Sequence, residues 1–279
     1  MNNTLETLAY GYGLLEGPCY DDRDGSLYFC DASEGGVYRR SADGQVETVV
    51  PRRKAVGGIV LHEDGGIVIS GRDISHVRDG NSRTVYKSTA PSLNDIFVDA
   101  AGRLLAGTVR GPHVSRHNRE PGECVLIDRN GSARDLYGEV FLPNGIALSP
   151  TGDVLYHADT GRSCVVMHDW TLAGETSGRR VLAVDGEIVP DGLAVDEEGT
   201  IWVADLSGSR SVRGFAPDGR EVARIAVPAL RPTSLGFGGA DRRDLFIVTA
   251  DNTEVPERRG TVFRTRMKTP GLAIPRTGV

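Results

Sequence analysis

The segment NGIALSPTGDVLYHAD (residues 144–159) places two apolar runs around a turn of Pro, Thr, Gly and Asp. Runs of this length that are bounded by turn residues are typical of paired β-strands. The same arrangement occurs five more times along the chain, which indicates a repeat architecture. The other copies are EGPCYDDRDGSLYFCD (16–31), GGIVLHEDGGIVISG (57–71), NDIFVDAAGRLLAGT (94–108), DGLAVDEEGTIWVAD (191–205) and SLGFGGADRRDLFIVT (234–249).

The spacing of the copies predicts the fold. Successive second strands are separated by 40, 37, 51, 46 and 44 residues, which is close to the period of a four-stranded propeller blade. We therefore predict an all-β, six-bladed β-propeller that forms a single domain over residues 1–279. A β-sandwich is the alternative, but it gives no reason for six similar units. The spacing is counted from the first apolar residue of each second strand: Leu27, Ile67, Leu104, Leu155, Ile201 and Leu245.

The composition agrees with many short strands joined by tight turns. Glycine accounts for 36 of 279 residues, about 13% where about 7% is usual. No stretch has the 3.6-residue periodicity of a long helix. The segment Leu5–Tyr10 is predicted to complete the last blade as its outer strand, because closure of the ring removes an exposed strand edge.

The net charge and the first residues of the sequence indicate which partners and which cellular location to expect. With 32 Lys and Arg against 38 Asp and Glu, the net charge is −6, which argues against binding to a phosphate backbone. The start MNNTLETLAYGYG lacks a basic segment followed by an apolar one, so we expect a cytoplasmic protein without a membrane span. We also expect reduced thiols and a monomer or small homo-oligomer. The four cysteines are Cys19, Cys30, Cys124 and Cys164.

Polar side chains begin most of the six copies. The first strand of each propeller blade lines the central channel, so these positions should form a ring at one mouth. Glu, Asp and Asn oxygens that converge without cysteine are suited to a hard divalent cation. The competing interpretation is that the Asn-Gly and Asp-Gly pairs are ordinary turn dipeptides. We call these six residues the ring positions: Glu16, Gly57, Asn94, Asn144, Asp191 and Ser234.

The loops after the second strands should form the rim of the same mouth. Arg72, Arg110 and His113 are predicted to contact substrate there, because basic groups suit an anionic or polyhydroxylated ligand. Any of these rim residues could instead be solvated or stabilise a turn, and the same holds for the rim aspartates Asp31, Asp73, Asp159, Asp205 and Asp251. The sequence has no G-x-S-x-G, H-E-x-x-H or phosphate-loop motif, which disfavours serine-hydrolase, zinc-protease and nucleotide chemistry.

Four segments together resemble the regucalcin and gluconolactonase family, which includes senescence marker protein and luciferin-regenerating enzyme. The resemblance implies a six-bladed propeller with a single divalent metal ion (Ca, Mg, Mn, Zn or Fe) in its channel. It implies that Glu16, Asn144 and Asp191 bind the metal, and that Asn94 contacts the substrate, or the metal through water. The segments are LEGPCYDDRDGSLYFCD, SLNDIFVDAAGRLLAGT, LPNGIALSPTGDVLYHAD and VPDGLAVDEEGTIWVADLSGSRSVRGFAPDG.

The chain departs from the family pattern at the substrate positions. Regucalcin has an arginine two residues before the asparagine matched by Asn94, where this chain has Ser92. A substrate-contacting glutamate of regucalcin falls near Asn118. The resemblance therefore extends to the metal ligands more fully than to the substrate contacts.

These observations predict a metal-dependent lactonase that opens a sugar (aldono) lactone. Asp191 is the expected general base that accepts a proton from the attacking water. One alternative is hydrolysis of another ester or phosphoester on the same scaffold. A second is a non-catalytic calcium-binding or protein-interaction propeller, although the repeated W-D signature of one interaction class is absent.

Overall fold

A computed structural model describes residues 4–111, 120–182 and 187–279. These residues form 24 β-strands in six antiparallel sheets of four strands each. The inner strands of successive sheets contact each other in a closed circle, so the sheets are the blades of a six-bladed β-propeller. The predicted fold class is confirmed.

The blades follow the chain with one exception. Blades 1 to 5 are β2–β5, β6–β9, β10–β13, β14–β17 and β18–β21, each running from the channel outward, and blade 6 has the order β22-β23-β24-β1. The strands are β1 (Glu6–Tyr12), β2 (Leu15–Asp21), β3 (Ser26–Asp31), β4 (Gly36–Arg40), β5 (Val46–Pro51), β6 (Ile59–Leu61), β7 (Ile67–Ile69), β8 (Ile74–Arg78), β9 (Asn81–Tyr86), β10 (Ser92–Val98), β11 (Leu104–Val109), β12 (Gly122–Ile127), β13 (Ala133–Val140), β14 (Pro143–Leu148), β15 (Val154–Asp159), β16 (Cys164–Trp170), β17 (Thr176–Val181), β18 (Pro190–Val195), β19 (Ile201–Asp205), β20 (Ser211–Phe215), β21 (Glu221–Ala226), β22 (Arg231–Gly238), β23 (Asp244–Asp251) and β24 (Gly260–Arg266).

The apolar core lies between neighbouring blades. The first apolar residues of the six second strands, from which the repeat was counted, are all buried, with at most 3% of their surface exposed. One core cluster joins Trp202 and Ala204 of blade 5 to Leu235 and Ile247 of blade 6. Burial of apolar surface between sheets is the main stabilising contribution in such a fold. The outer strands, by contrast, are largely exposed.

The inner strands are interrupted where they reach the ring positions. Five of the six inner strands, all of which lie within the described ranges, change register against their second strand at or beside this point. In β14, for example, the shift falls between Pro143 and Ile146. Such β-bulges bend a strand and redirect its side chains. The bulges therefore turn the ring side chains away from the regular sheet.

Blade 6 is built from both ends of the chain. β1 pairs antiparallel with β24, with Thr7 opposite Phe263 and Tyr10 opposite Thr261. The ion pair between Arg264 and Glu6 adds a side-chain contact to this pairing. The prediction that the N-terminal segment completes the last blade is confirmed.

The C-terminal tail crosses the end of the channel that lies away from the ring positions. Leu272 N donates to Val195 O (3.2 Å) in blade 5, Thr277 N donates to Leu61 O (2.9 Å) in blade 2, and Gly278 N donates to Gly102 O (3.2 Å) in blade 3. A cavity of about 360 Å³ lies between this tail and Asp95, with Ile96, Ile146 and Leu193 among its walls. The far half of the channel is thus mainly apolar.

Two 3-10 turns, Thr160–Arg162 and Pro256–Arg258, are the helical elements of the described residues. No helix in this part of the chain is long and apolar enough to span a membrane. All four cysteines are free thiols.

Candidate metal centre

The ring positions lie together at one end of the channel. Five of them belong to inner strands: Glu16 to β2, Asn94 to β10, Asn144 to β14, Asp191 to β18 and Ser234 to β22. Gly57 lies just before β6. The same place in each blade therefore supplies one residue to the channel mouth, as the repeat alignment predicts.

A chain of hydrogen bonds fixes the amide groups of the mouth across three blades. Asn94 Nδ2 donates to Asn144 Oδ1 (2.9 Å) and to Pro143 O (2.8 Å). Asn144 Nδ2 donates to Thr160 Oγ1 (2.9 Å), which in turn donates to Pro190 O (2.6 Å). Because Nδ2 of Asn144 is bound to Thr160, its Oδ1 faces the ring, where a second lone pair can accept another partner. Thr160 was not identified from the sequence.

Two buried carboxyl groups lie at the mouth, close enough for the charge of Asp191 to act on Glu16. Glu16 is 8% exposed and Asp191 is 3% exposed. Burial, followed by the charges of Asp191 and Asp95, raises the pKa of Glu16 well above its usual value. Burial, followed by the charge of Asp95, does the same to the pKa of Asp191. Asp191 Oδ1 has no hydrogen-bond partner among the described residues. A cation in this position would compensate the charges that the protein leaves opposed.

Asp95 is a third carboxyl group at the channel, and it was missed in the sequence. Burial raises its pKa to about 7, against a lowering by the hydrogen bond from Ile96 N, which is 2.8 Å long. Asp95 directly follows the ring position Asn94, and four other blades have glycine at the equivalent position. The sequence signal for Asp95 was therefore an aspartate where the aligned repeats have glycine. The glycines are Gly17, Gly58, Gly145 and Gly192.

The Asn-Gly and Asp-Gly pairs are not hairpin turns. Gly145 lies inside β14 and Gly192 inside β18. A Cβ on Gly145 would lie 2.2 Å from Leu193 N, and one on Gly192 would lie 2.3 Å from Ser234 Oγ. These glycines therefore permit close approach of neighbouring inner strands. The turn interpretation of these dipeptides is wrong.

The donor set suits a hard divalent cation. Within the described ranges, no three His, Cys, Asp or Glu side chains are grouped so as to hold a metal ion. A site at the mouth therefore depends on the Asn144 amide oxygen together with Glu16 and Asp191. Two carboxylates and an amide oxygen are ligand types that Ca²⁺ and Mg²⁺ accept. The unpartnered Asp191 Oδ1 and the opposed carboxyl groups fit such an ion.

The predicted rim residues differ in their surroundings. Arg72 follows Gly71 at the end of blade 2's second strand, and 82% of its side-chain surface is exposed. Arg110 Nε donates to Glu123 Oε1 (2.9 Å), so this arginine is held by a neighbouring strand. His113 lies outside the described residues.

Three of the rim aspartates stabilise loops. Asp31 accepts from Gly13 N (2.6 Å), Asp159 from Phe141 N (3.1 Å), and Asp205 from Val189 N (3.1 Å). Each aspartate thus ends the second strand of a blade and binds the backbone just before that blade's inner strand. Their turn-stabilising interpretation is confirmed.

The fold and the mouth define a six-bladed propeller protein with an acidic, oxygen-lined channel entrance. Residues 14–251 match the model of the SMP-30/Gluconolactonase/LRE-like region. The chain therefore belongs to the SMP-30/gluconolactonase/LRE-like family.

Individual relatives match over most of their length. The chain is 31% identical to a 6-deoxy-6-sulfogluconolactonase of Pseudomonas putida, covering 99% of each protein. It is also 31% identical to regucalcin of Danio rerio, over 84% of this chain and 82% of that one. A solved luciferin-regenerating enzyme superposes with a TM-score of 0.88 at 22% identity, covering 99% of this chain and all of the other, which shows the shared fold.

Proposed function

We propose that the protein is a metal-dependent lactonase that hydrolyses a sugar lactone to its open-chain acid. The observation on which this depends is the pair of buried, opposed carboxyl groups of Glu16 and Asp191 beside the oriented amide of Asn144. Membership of a family whose relatives include a sulfogluconolactonase supports lactone hydrolysis.

Glu16, Asn144 and Asp191 would hold the cation. When bound, a divalent cation polarises the ester carbonyl and lowers the pKa of a water molecule that it holds. Glu16 and Asn144 would chiefly fix the arrangement of oxygen ligands around the cation. The hydrogen bond to Thr160 keeps the Asn144 amide in the required orientation.

Asp191 accepts the proton of the attacking water. A carboxylate has two oxygens, so one oxygen of Asp191 can bind the cation while the other accepts a hydrogen bond from the attacking water. A positioned carboxylate of this type contributes roughly 100-fold or more to a hydrolysis rate.

Asn94 positions the substrate. Its Nδ2 is bound to the Asn144 side chain and to Pro143 O. Its Oδ1 faces the position of Gly57, where an added Cβ would lie 2.0 Å away. This carbonyl can accept a hydrogen bond from a sugar hydroxyl.

The test is acid release from a panel of aldono-1,4- and 1,5-lactones, followed with a pH indicator. We expect activity with at least one lactone, its loss on chelation, and its recovery with one divalent ion. Simple carboxylic and phosphate esters belong in the same panel, since their hydrolysis would indicate a related hydrolase instead. If no compound is hydrolysed with any metal, while calorimetry still detects cation binding, the protein is a binding propeller.

A further inference from the structure

The cavity in the far half of the channel has the size of a small-molecule site and reaches the surface. Its volume of about 360 Å³ falls in the range of ligand pockets, about 300–1,000 Å³. At the tail end its walls include Asp22, Ala240 and Ile274, and all three residues are exposed. The cavity therefore opens to solvent between the C-terminal tail and the turns that follow β2 and β22.

The body of the cavity is apolar. Five inner strands each contribute a buried aliphatic side chain to its walls, and these residues belong to the blade core. A ligand with an aliphatic or aromatic body would be stabilised here by removal of its apolar surface from water. The five wall residues are Ile59, Ile96, Ile146, Leu193 and Leu235.

Asp95 is the charged group at the inner end of this cavity. Within the described ranges it makes one hydrogen bond, from Ile96 N to its Oδ1, and no ion pair, so Oδ2 has no protein partner. Asp95 keeps part of its surface accessible and lines the cavity. Four other blades have glycine at this place, so the propeller itself does not require an acid here. An interior carboxyl group with an open oxygen indicates a site for a hydrogen-bond donor.

The other charged residues of the cavity walls are already paired. Arg276 forms an ion pair with Asp22, and Arg242 forms one with Glu197 at 2.5 Å. Asp95 is therefore the charged wall residue without an ionic partner in the described part of the chain, and the walls offer an anion no unpaired cation.

The nearby carboxyl groups add to this preference. The charge of Asp95 raises the pKa of both Glu16 and Asp191, so the three groups are close enough to interact. Three carboxylates outweigh a single divalent ion by one negative charge. The inner end of the cavity therefore favours a cation over a neutral molecule or an anion.

We propose that this cavity is a second binding site, which takes an organic monocation with an apolar body, a primary alkylammonium, with its ammonium group on Asp95 and its body directed toward the tail. An ammonium group is a compact charge with three donors, and its hydrogen bond to a carboxylate is charge-assisted. The site is separate from the metal centre, and the inference does not depend on the proposed lactonase function.

The test is calorimetric titration with hexylamine, hexanol and hexanoate, with and without Ca²⁺. Hexylamine is protonated at neutral pH, as the side chain of lysine is (pKa about 10.4). We expect it to bind at least about tenfold more tightly than hexanol, as a charge-assisted hydrogen bond provides, and hexanoate to bind no more tightly than hexanol. Asp95→Asn and Asp95→Gly should remove the advantage of the amine and leave hexanol unchanged. Asp64→Asn is the matched control, since this exposed carboxylate lies outside the cavity walls.

Failure of hexylamine to bind, equal affinities for hexylamine and hexanol, or an amine affinity that neither Asp95 variant changes would overturn the inference. Loss of amine binding on addition of Ca²⁺, or in Asp191→Asn but not in the Asp95 variants, would place the amine at the mouth and overturn it as well. A crystal soaked with 4-iodobenzylamine locates the ligand directly. Anomalous scattering should show iodine between Leu193 and Leu272, and a cavity without iodine contradicts the assignment.

Discussion

At the scale of single residues, the charge of Asp191 is predicted to serve both metal binding and proton transfer. Asp191→Asn keeps the shape of the side chain but removes the charge and most of the basicity. We expect weaker cation binding and a fall in kcat of roughly 100-fold or more. Calorimetric titration and lactone turnover measure the two effects.

A matched control for this variant is Asp64→Asn. Asp64 is 73% exposed and follows the inner strand at the end of blade 2 away from the ring. Its substitution should leave both measurements unchanged. If Asp191→Asn binds the cation and turns over lactone like the wild type, the assigned role of Asp191 is wrong.

The buried carboxyl group of Asp95 should make the stability of the folded protein depend on pH. Burial raises its pKa from 3.8 to about 7, so the folded protein retains a proton that the unfolded chain releases. The stability from this proton is fully present below about pH 4 and is lost as the pH rises through about 7. The melting temperature of the metal-free wild type should therefore fall more steeply between about pH 5 and pH 8 than that of Asp95→Asn.

The comparison with Asp95→Asn separates this effect from the buried histidines. Burial lowers the pKa of His157 to about 3 and that of His168 to about 4. Because the unfolded chain binds these protons more readily, acid destabilises the fold through the two histidines, whereas it stabilises the fold through Asp95. They are present in both proteins, so their contribution cancels in the difference. Parallel melting curves for the two proteins across this range would contradict the prediction.

At the scale of strands, Gly145 is predicted to be required for the approach of β14 to β18. Gly145→Ala places a methyl group 2.2 Å from Leu193 N, so one of the inner strands must move. We expect a loss of about 2–3 kcal/mol in the free energy of unfolding, measured by urea denaturation. Gly138→Ala in β13 is the control, because its added Cβ meets no atom closer than 4.0 Å. Equal stability of the two variants would count against close approach as the reason for Gly145.

The sequence predicted the strands and the placement of the ring positions better than the contacts between neighbouring blades. Apolar runs around Asp-Gly turns depend on local patterning, so the six strand pairs and the outer strand at Leu5–Tyr10 could be identified. The bulges could not, because a change of register depends on the neighbouring strand. Asp95 was missed although it stands where four other blades have glycine. The bridge between Gly71 and Leu93 joins two blades, so neither repeat alone predicts it. The identities and roles of the site residues remain predictions until tested.

At the scale of the whole molecule, pairing of β1 with β24 closes the ring. Removing residues 1–10 would reduce blade 6 to three strands. The backbone N–H and C=O groups of β24 would then be unpaired at an exposed sheet edge. We expect the melting temperature to fall by several degrees and aggregation on heating to increase. Scanning calorimetry and light scattering measure these effects. Removal of residues 1–4, which precede β1, is the control, and an unchanged melting point for the longer deletion would refute this role for β1.

The construction of blade 6 from both chain ends also has a consequence for biosynthesis. β1 must wait for β24 (Gly260–Arg266), which follows the strands of the other five blades along the chain. Those five blades can stack during translation, but the toroid itself is completed only once β24 has been synthesised. A polypeptide that ends before β24 would therefore have an incomplete blade 6 with exposed strand edges. Cellular proteases could distinguish it from the closed propeller by these edges.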